Sequence, residues 1–141
     1  RVDGFVDALA SAGVPRSQVR VIETDFNEDG GYTATNRLLS ASAGLDVTAL
    51  FCTTDVMAIG ALLALRERGV PVPDELSLIG FDDIPIVRHL TPSLSTAALD
   101  LERMGREAMD LVLDASAPGR ARRVIIPAHL VLRESTAAPR T

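Results

Sequence analysis

The sequence contains no lysine and no tryptophan, only one cysteine, Cys52, and only 4% aromatic residues. Without lysine there can be no Walker-type G-x-x-x-x-G-K-[ST] phosphate loop, and no G-x-G-x-x-G follows a strand. A lone cysteine excludes an internal disulfide framework and fits a reducing cytosol, so a cytoplasmic location is expected. No run approaches the roughly 20 apolar residues of a membrane span, and the opening residues carry no secretory signal pattern, so no membrane partner is expected. The two histidines, His89 and His129, lie far apart with no cysteine or acidic cluster at metal-ligand spacing, which argues against a metal. No G-x-S-x-G elbow presents a serine nucleophile. The adjacent pair Asp82-Asp83 points to opposite faces of a strand and cannot flank one bond. Neither an enzyme nor a cofactor is expected. All 14 basic residues are arginine against 19 acidic ones, for a net charge of −5. That balance lacks the positive surplus that drives non-specific binding to nucleic acid.

What is present is ordinary globular material: 141 residues, 47% hydrophobic and 23% charged. A chain of this length forms one domain and buries roughly 68–70% of its unfolded surface. Phe5, Val6, Leu9 and Ala10 recur at helical spacing, with Gly13 and Pro15 as a stop. The β-branched segment Val19-Arg20-Val21-Ile22-Glu23 reads as a strand. Asn27 or Asp29 can cap a second helix with a stripe of Tyr32, Leu38 and Leu39, ending at Gly44. Ala49-Leu50-Phe51-Cys52 reads as a strand buried on both faces. A third helix, capped by Thr54 or Asp55, runs to about Arg68 and stops at Gly69. Residues 70–75 form a proline-stiffened turn, and residues 76–81 a buried strand ending at Asp82-Asp83. Strands alternating with helices predict an α/β fold, a parallel sheet with helices on both faces.

After Asp83 the rhythm changes. An irregular apolar stretch over residues 84–90 is followed by the extended piece Ser93-Leu94-Ser95-Thr96. Leu101, Met104, Ala108, Leu111, Val112 and Ala115 then trace one stripe of an amphipathic helix. Residues 124–126 and 130–132 flank Pro127, as two short strands or one edge strand broken at the proline. A parallel sheet wants a strand before its first helix, yet Arg1 stands almost at that helix, so the sequence looks cut from something longer. Three predicted strands end in Glu23-Thr24-Asp25-Phe26, Thr53-Thr54-Asp55 and Phe81-Asp82-Asp83, at the edge where open α/β sheets bind ligands. Carboxylates accept hydrogen bonds from ligand hydroxyls and an aromatic covers the apolar face of a ring, which suits a sugar or similar small polar molecule.

Several ordered motifs carry a family resemblance: Arg1-x-x-Gly4-Phe5-x-x-Ala8-Leu9, Gly31-Tyr32, Thr54-Asp55-x-x-Ala58-x-Gly60, and Val72-Pro73-Asp74-Glu75-Leu76-Ser77-Leu78-Ile79-Gly80-Phe81-Asp82-Asp83. Pro92-x-Leu94-Ser95-Thr96 and Leu130-Val131-x-Arg133-Glu134-Ser135-Thr136 complete the set. The chain resembles the carboxyl-terminal part of the effector-binding domain of the lactose/galactose repressor family of transcription regulators. The resemblance implies a truncated, parallel-sheet Rossmann-like lobe of a periplasmic-binding-protein-like (type I) fold. Residues 1–97 would be the second lobe without its first strand. Residues 98–118 would hold a crossover helix belonging to the first lobe, and residues 119–141 the returning strands and tail. Operator DNA would be reached only through an amino-terminal helix-turn-helix domain that this sequence lacks.

The resemblance also assigns residues. Arg1 matches an effector-contacting arginine whose planar fork can hold two ligand oxygens. Phe26 matches an aromatic pocket wall, Asp82 an acceptor for ligand hydroxyls or ring nitrogens, and Thr54 a position usually held by asparagine or serine. Asp55 is then read as the helix cap. The third helix is apolar almost all round and must be covered on more than one side. In the family it lies at a homodimer interface, which here would involve Ile59, Leu62, Leu63, Ile86 and Leu90. The expected function is the effector-sensing part of a repressor, with a sugar-binding protein of a transport system as the alternative.

Overall fold

The computed structural model describes residues 1–41, 46–114 and 122–139. Its centre is a four-stranded sheet in the order β1 (Ala49–Phe51), β2 (Ser77–Asp82), β3 (Ser95–Ala98), β4 (His129–Val131). The first three strands are parallel, with Leu50 opposite Leu78 and Gly80 opposite Thr96, and β4 closes the edge antiparallel to β3. Helix α3 (Asp55–Glu67) connects β1 to β2 and lays Met57, Ala58, Ala61 and Leu65 on Leu78, Leu76, Leu94 and Val87, the buried core. Side chains alternate between faces along a strand, so Phe51 points away from the face that carries Leu50. On that side Phe5 of α1 (Val2–Ser11) stacks on Phe51 with ring centroids 4.8 Å apart. Helix α3 thus covers one face of the sheet, whereas on the other the Phe5 ring is the contact that α1 makes and no residue of α1 is buried, so the expected cover of helices on both faces is met in full on one side only.

Helix α2 (Glu28–Ser40) packs on α3 rather than on the sheet. Asn27, not Asp29, is its cap: the side-chain oxygen accepts from the Gly30 amide at 2.7 Å. The expected stripe is only partly right, because Leu38 is buried while Tyr32 and Leu39 are half-buried. Small residues make the contact instead. A Cβ at Gly31 would run into the Met57 carbonyl oxygen, and one at Gly60 into the carbonyl oxygen of Glu28. The two helices thus touch backbone to backbone. The expected stop at Gly44 lies outside the described residues.

Residues 19–23 are not a strand. They run extended without a ladder, and Val21 and Ile22 are exposed. A cavity of about 1210 Å³, lined by Val21, Ile22, Leu50 and Phe51 among others, separates them from the free edge of β1. A strand exists only through its partner, and no backbone among the described residues fills that gap. Residues 124–126 are likewise no strand. Of the two pieces around Pro127 only His129–Val131 pairs, on the edge, after the residue that cannot donate.

Helix α4 (Leu101–Leu113) follows β3 and is capped by Asp100, which accepts from the Arg103 amide at 2.9 Å. Its apolar stripe forms as the spacing predicts, but none of its residues is buried, and Leu101, Met104 and Val112 are exposed. Ala115, the last of that stripe, lies outside the described residues.

The backbone contact between α2 and α3 makes a sharp prediction. Gly60→Ala forces the helices apart and destabilises the fold by about 1–3 kcal/mol in urea denaturation. Gly4→Ala, where a Cβ meets nothing within 4 Å, leaves stability unchanged or slightly raised. Equal effects at the two positions would contradict the packing described.

Candidate functional site

The carboxyl ends of β1 and β2 meet at Arg1. Its guanidinium donates to the Thr53 carbonyl at 2.5 Å and to Asp82 Oδ1 at 3.1 Å, and it lies 4.0 Å above the centroid of the Phe81 ring. Neutralised backbone, carboxylate and aromatic face together fix a cation at the sheet's rim. Partial burial pushes the Asp82 carboxyl above its usual range; Arg1 pulls it down, and the charge on Asp55 pushes it up again. A carboxylate short of water in this way accepts a ligand hydroxyl or N–H readily.

The backbone at this rim is strained. Asp82 has φ 115° and Asp83 φ 58°, both on the side of conformational space that side chains avoid, at a cost of about 1–3 kcal/mol for such a residue. Each aspartate is held from a different direction. Asp83 receives Arg133 at 2.7 Å, and the same guanidinium donates to the Leu94 carbonyl at 2.8 Å. The adjacent carboxylates thus take separate partners, Arg1 and Arg133.

Beneath the turn sits Asp55, fully buried. Its Oδ1 accepts from the Thr96 hydroxyl at 2.6 Å and its Oδ2 from the Ile84 amide at 2.9 Å. This corrects the expectation that Asp55 caps α3. Thr54 is the cap, its hydroxyl oxygen accepting from the Met57 amide at 3.2 Å. One lone pair of the Thr54 oxygen is therefore committed, and its hydroxyl proton and second lone pair remain for a ligand.

The other assigned residues fall as follows. Arg1 and Asp82 are in contact. Phe26 is 73% exposed and lines the cavity beneath α1 together with Thr53, but Asp82 is not part of that lining. Thr53, whose carbonyl accepts from Arg1, is shared between that cavity and the Arg1–Asp82 pair. Of the residues expected at a dimer interface, Leu63 and Ile86 are exposed and Ile59, Leu62 and Leu90 half-buried, and Leu62 and Leu90 pack against the core. Among the described residues no three of His, Cys, Asp and Glu gather at a point that could hold a metal.

Sequence reasoning gave the closing motif Arg133-Glu134-Ser135-Thr136 no task of its own, yet every member is employed. Glu134 accepts from the Ser93 amide and hydroxyl at 2.9 and 3.0 Å, which holds its carboxyl below the usual range. Buried Ser135 spans two strands, donating to the Leu78 carbonyl at 2.6 Å and accepting from the Ser95 amide at 2.8 Å. Thr136 meets the Ser95 hydroxyl at 2.8 Å. A run of small polar residues after an edge strand was the available signal; its partners lie 38 to 57 residues away and no local pattern reveals them.

An α/β lobe with polar groups converging at the carboxyl edge of a parallel sheet is a small-molecule-binding architecture. Residues 1–136 match the family of periplasmic binding protein-like domains. The chain is 37% identical over 137 residues to the HTH-type transcriptional repressor PurR of Mannheimia succiniciproducens, covering 96% of this chain and 40% of that protein. Among solved structures it superposes on a transcriptional regulator CelR–cellobiose complex with a TM-score of 0.85 and 32% identity, over 95% of this chain and 41% of the other. A second match is a LacI family regulator of Enterococcus faecium with bound ribose, at TM-score 0.82 and 29% identity, over 99% of this chain and 51% of that one. The chain belongs to the periplasmic-binding-protein-like, effector-binding domains of the lactose/galactose repressor family, and it spans about two fifths of the length of the curated relative. No helix among the described residues is long and apolar enough to cross a membrane.

Cys52 stands directly after β1, buried, with its thiol pushed up to about 12 by burial and by the charge on Asp55. Since the thiolate is the reactive form, the folded protein at pH 8 reacts with a disulfide reagent at least about a hundredfold slower than the urea-unfolded chain. Equal rates would show that the end of β1 is open to solvent.

Proposed function

We propose that this chain is the effector-sensing part of a bacterial transcriptional repressor, and that it grips a small polar metabolite, a sugar, between two lobes. The observation that carries the reading is the Arg1–Asp82 pair at the carboxyl edge of β1 and β2 in a chain of this family. Arg1 and Asp82 offer a fork of donors and an acceptor side by side, the combination that holds vicinal hydroxyls. Thr54 adds a hydroxyl, and Phe26 a ring face from the cavity side. The cellobiose and ribose complexes of the two similar regulators support a sugar.

In this reading residues 1–97 are the second lobe, residues 98–118 carry the crossover helix of the first, and residues 119–141 return. A homodimer forms along the outer side of α3 through Ile59, Leu62, Leu63, Ile86 and Leu90. The protein works in the cytoplasm and meets operator DNA through a helix-turn-helix domain outside this chain. Effector with different affinity for two lobe arrangements shifts their populations and so the affinity for operator.

The test is a thermal-shift screen of the full-length protein against sugars, nucleosides and amino acids, since a ligand that binds only the folded state raises Tm by mass action. A sugar raises Tm, and Asp82→Ala weakens its binding about 10–100-fold, the loss expected for a hydrogen bond to a charged group. Full affinity in the Asp82→Ala protein would overturn the assignment. A response confined to nucleosides or amino acids would keep the site and replace the sugar.

A further inference from the structure

The strained Asp82-Asp83 turn is tied to two pieces of chain that have nothing to do with binding. One is β3, which leads into α4; the other is the segment after β4, which returns from it. From β3, the Thr96 hydroxyl holds Asp55 Oδ1, and the other oxygen of the same carboxylate holds the amide of Ile84, the residue directly after the pair. From the returning segment, Arg133 holds Asp83 itself while its second nitrogen grips the Leu94 carbonyl just ahead of β3. Both arms are largely shielded from water. Thr96 and Asp55 are fully buried, and the Arg133 and Asp83 side chains are 16% and 20% exposed. The close approach is built in: a Cβ at Gly80 would run into Asp55 Oδ1, so only glycine on β2 lets the carboxylate reach across to Thr96.

A turn with two left-handed, non-glycine residues persists only where its surroundings over-determine it. Here the surroundings are the strands to and from α4. We propose that Asp55 and Arg133 are positioning residues that set the orientation of the Asp82 carboxylate and couple it to the displacement of β3 and the returning segment. They touch no ligand. Movement of either strand withdraws the Arg133 hydrogen bond from Asp83 or the Thr96 hydrogen bond from the carboxylate that holds Ile84, and the turn relaxes and opens the Asp82 carboxylate to water. Reciprocally, a ligand that fixes Asp82 favours the strand arrangement in which both arms are closed. The role as a ligand relay rests on the proposed effector site; the mechanical link between the strands and the turn does not.

The charged groups facing Asp82 are Arg1, from the start of α1, and Asp55, from α3. Carbon-detected NMR titration of the Asp82 carboxyl therefore reads the turn without any ligand. Thr96→Val removes the hydroxyl at the far end of the β3 arm and changes no charge. The Asp82 midpoint then falls toward the ordinary carboxylate range, as the relaxed turn admits water, while Thr96→Ser keeps the hydroxyl and the wild-type midpoint. Arg133→Gln discriminates by sign. Loss of a nearby positive charge acting through space raises the midpoint, whereas release of the turn lowers it.

A wild-type midpoint in Thr96→Val, or a raised one in folded Arg133→Gln, would overturn the proposal; if Arg133→Gln does not fold, the Thr96 pair decides alone. The effector reading fails separately. If both variants lower the midpoint but no sugar, nucleoside or amino acid raises Tm of the full-length protein, the link between strands and turn stands and the ligand assignment falls.

Discussion

A single buried carboxylate organises this lobe. Asp55 opens α3, yet its side chain turns inward, past the bare backbone of Gly80, to meet Thr96 on one strand and the Ile84 amide beyond another. A carboxylate in this position is tolerated only because its oxygens are bonded. Removing it would leave a buried hydroxyl and a backbone N–H without partners, each worth about 1–3 kcal/mol. The end of β2, the start of α3 and the middle of β3 are consequently one piece. The surface proposed to face a ligand is built on that piece rather than on a free loop.

From this constraint the rim follows. With Ile84 pinned, the chain leaving β2 must turn within two residues, and Asp82 and Asp83 take the left-handed conformations that this requires. Aspartate tolerates such backbone better than branched residues do. Arg133 and Arg1 then take one carboxylate each, from opposite sides. Strain, burial and charge pairing concentrate at the point where a small polar molecule would be recognised, the usual place for a fold to store them.

Much of the architecture was legible in the sequence, for identifiable reasons. The strands at residues 49–51 and 77–82 were visible because a buried parallel strand must be a short apolar run, and α3 and α4 because their periodicity and stops are strong. What escaped notice depended on distant partners. Residues 19–23 have the β-branched composition of a strand and lack a pairing neighbour among the described residues. The closeness of the α2–α3 contact was hidden because glycines, Gly31 and Gly60, set it, while the visible Leu38 and Leu39 only flank it. Of the site, Arg1 and Asp82 were found by resemblance and do meet. The same resemblance did not anticipate that Thr54 would be the cap and Asp55 a buried anchor, since both side chains can cap a helix and only the bare backbone of Gly80 decides between them.

Hydrogen exchange at the Ile84 amide tests the role of Asp55 most directly. Ile84 lies outside any strand or helix, where an amide ordinarily exchanges quickly. If Asp55 anchors the rim, this amide is protected to nearly the level of the β2 amides at Leu78 and Gly80. Exchange at the rate of an open loop would mean that the carboxylate does not hold the turn.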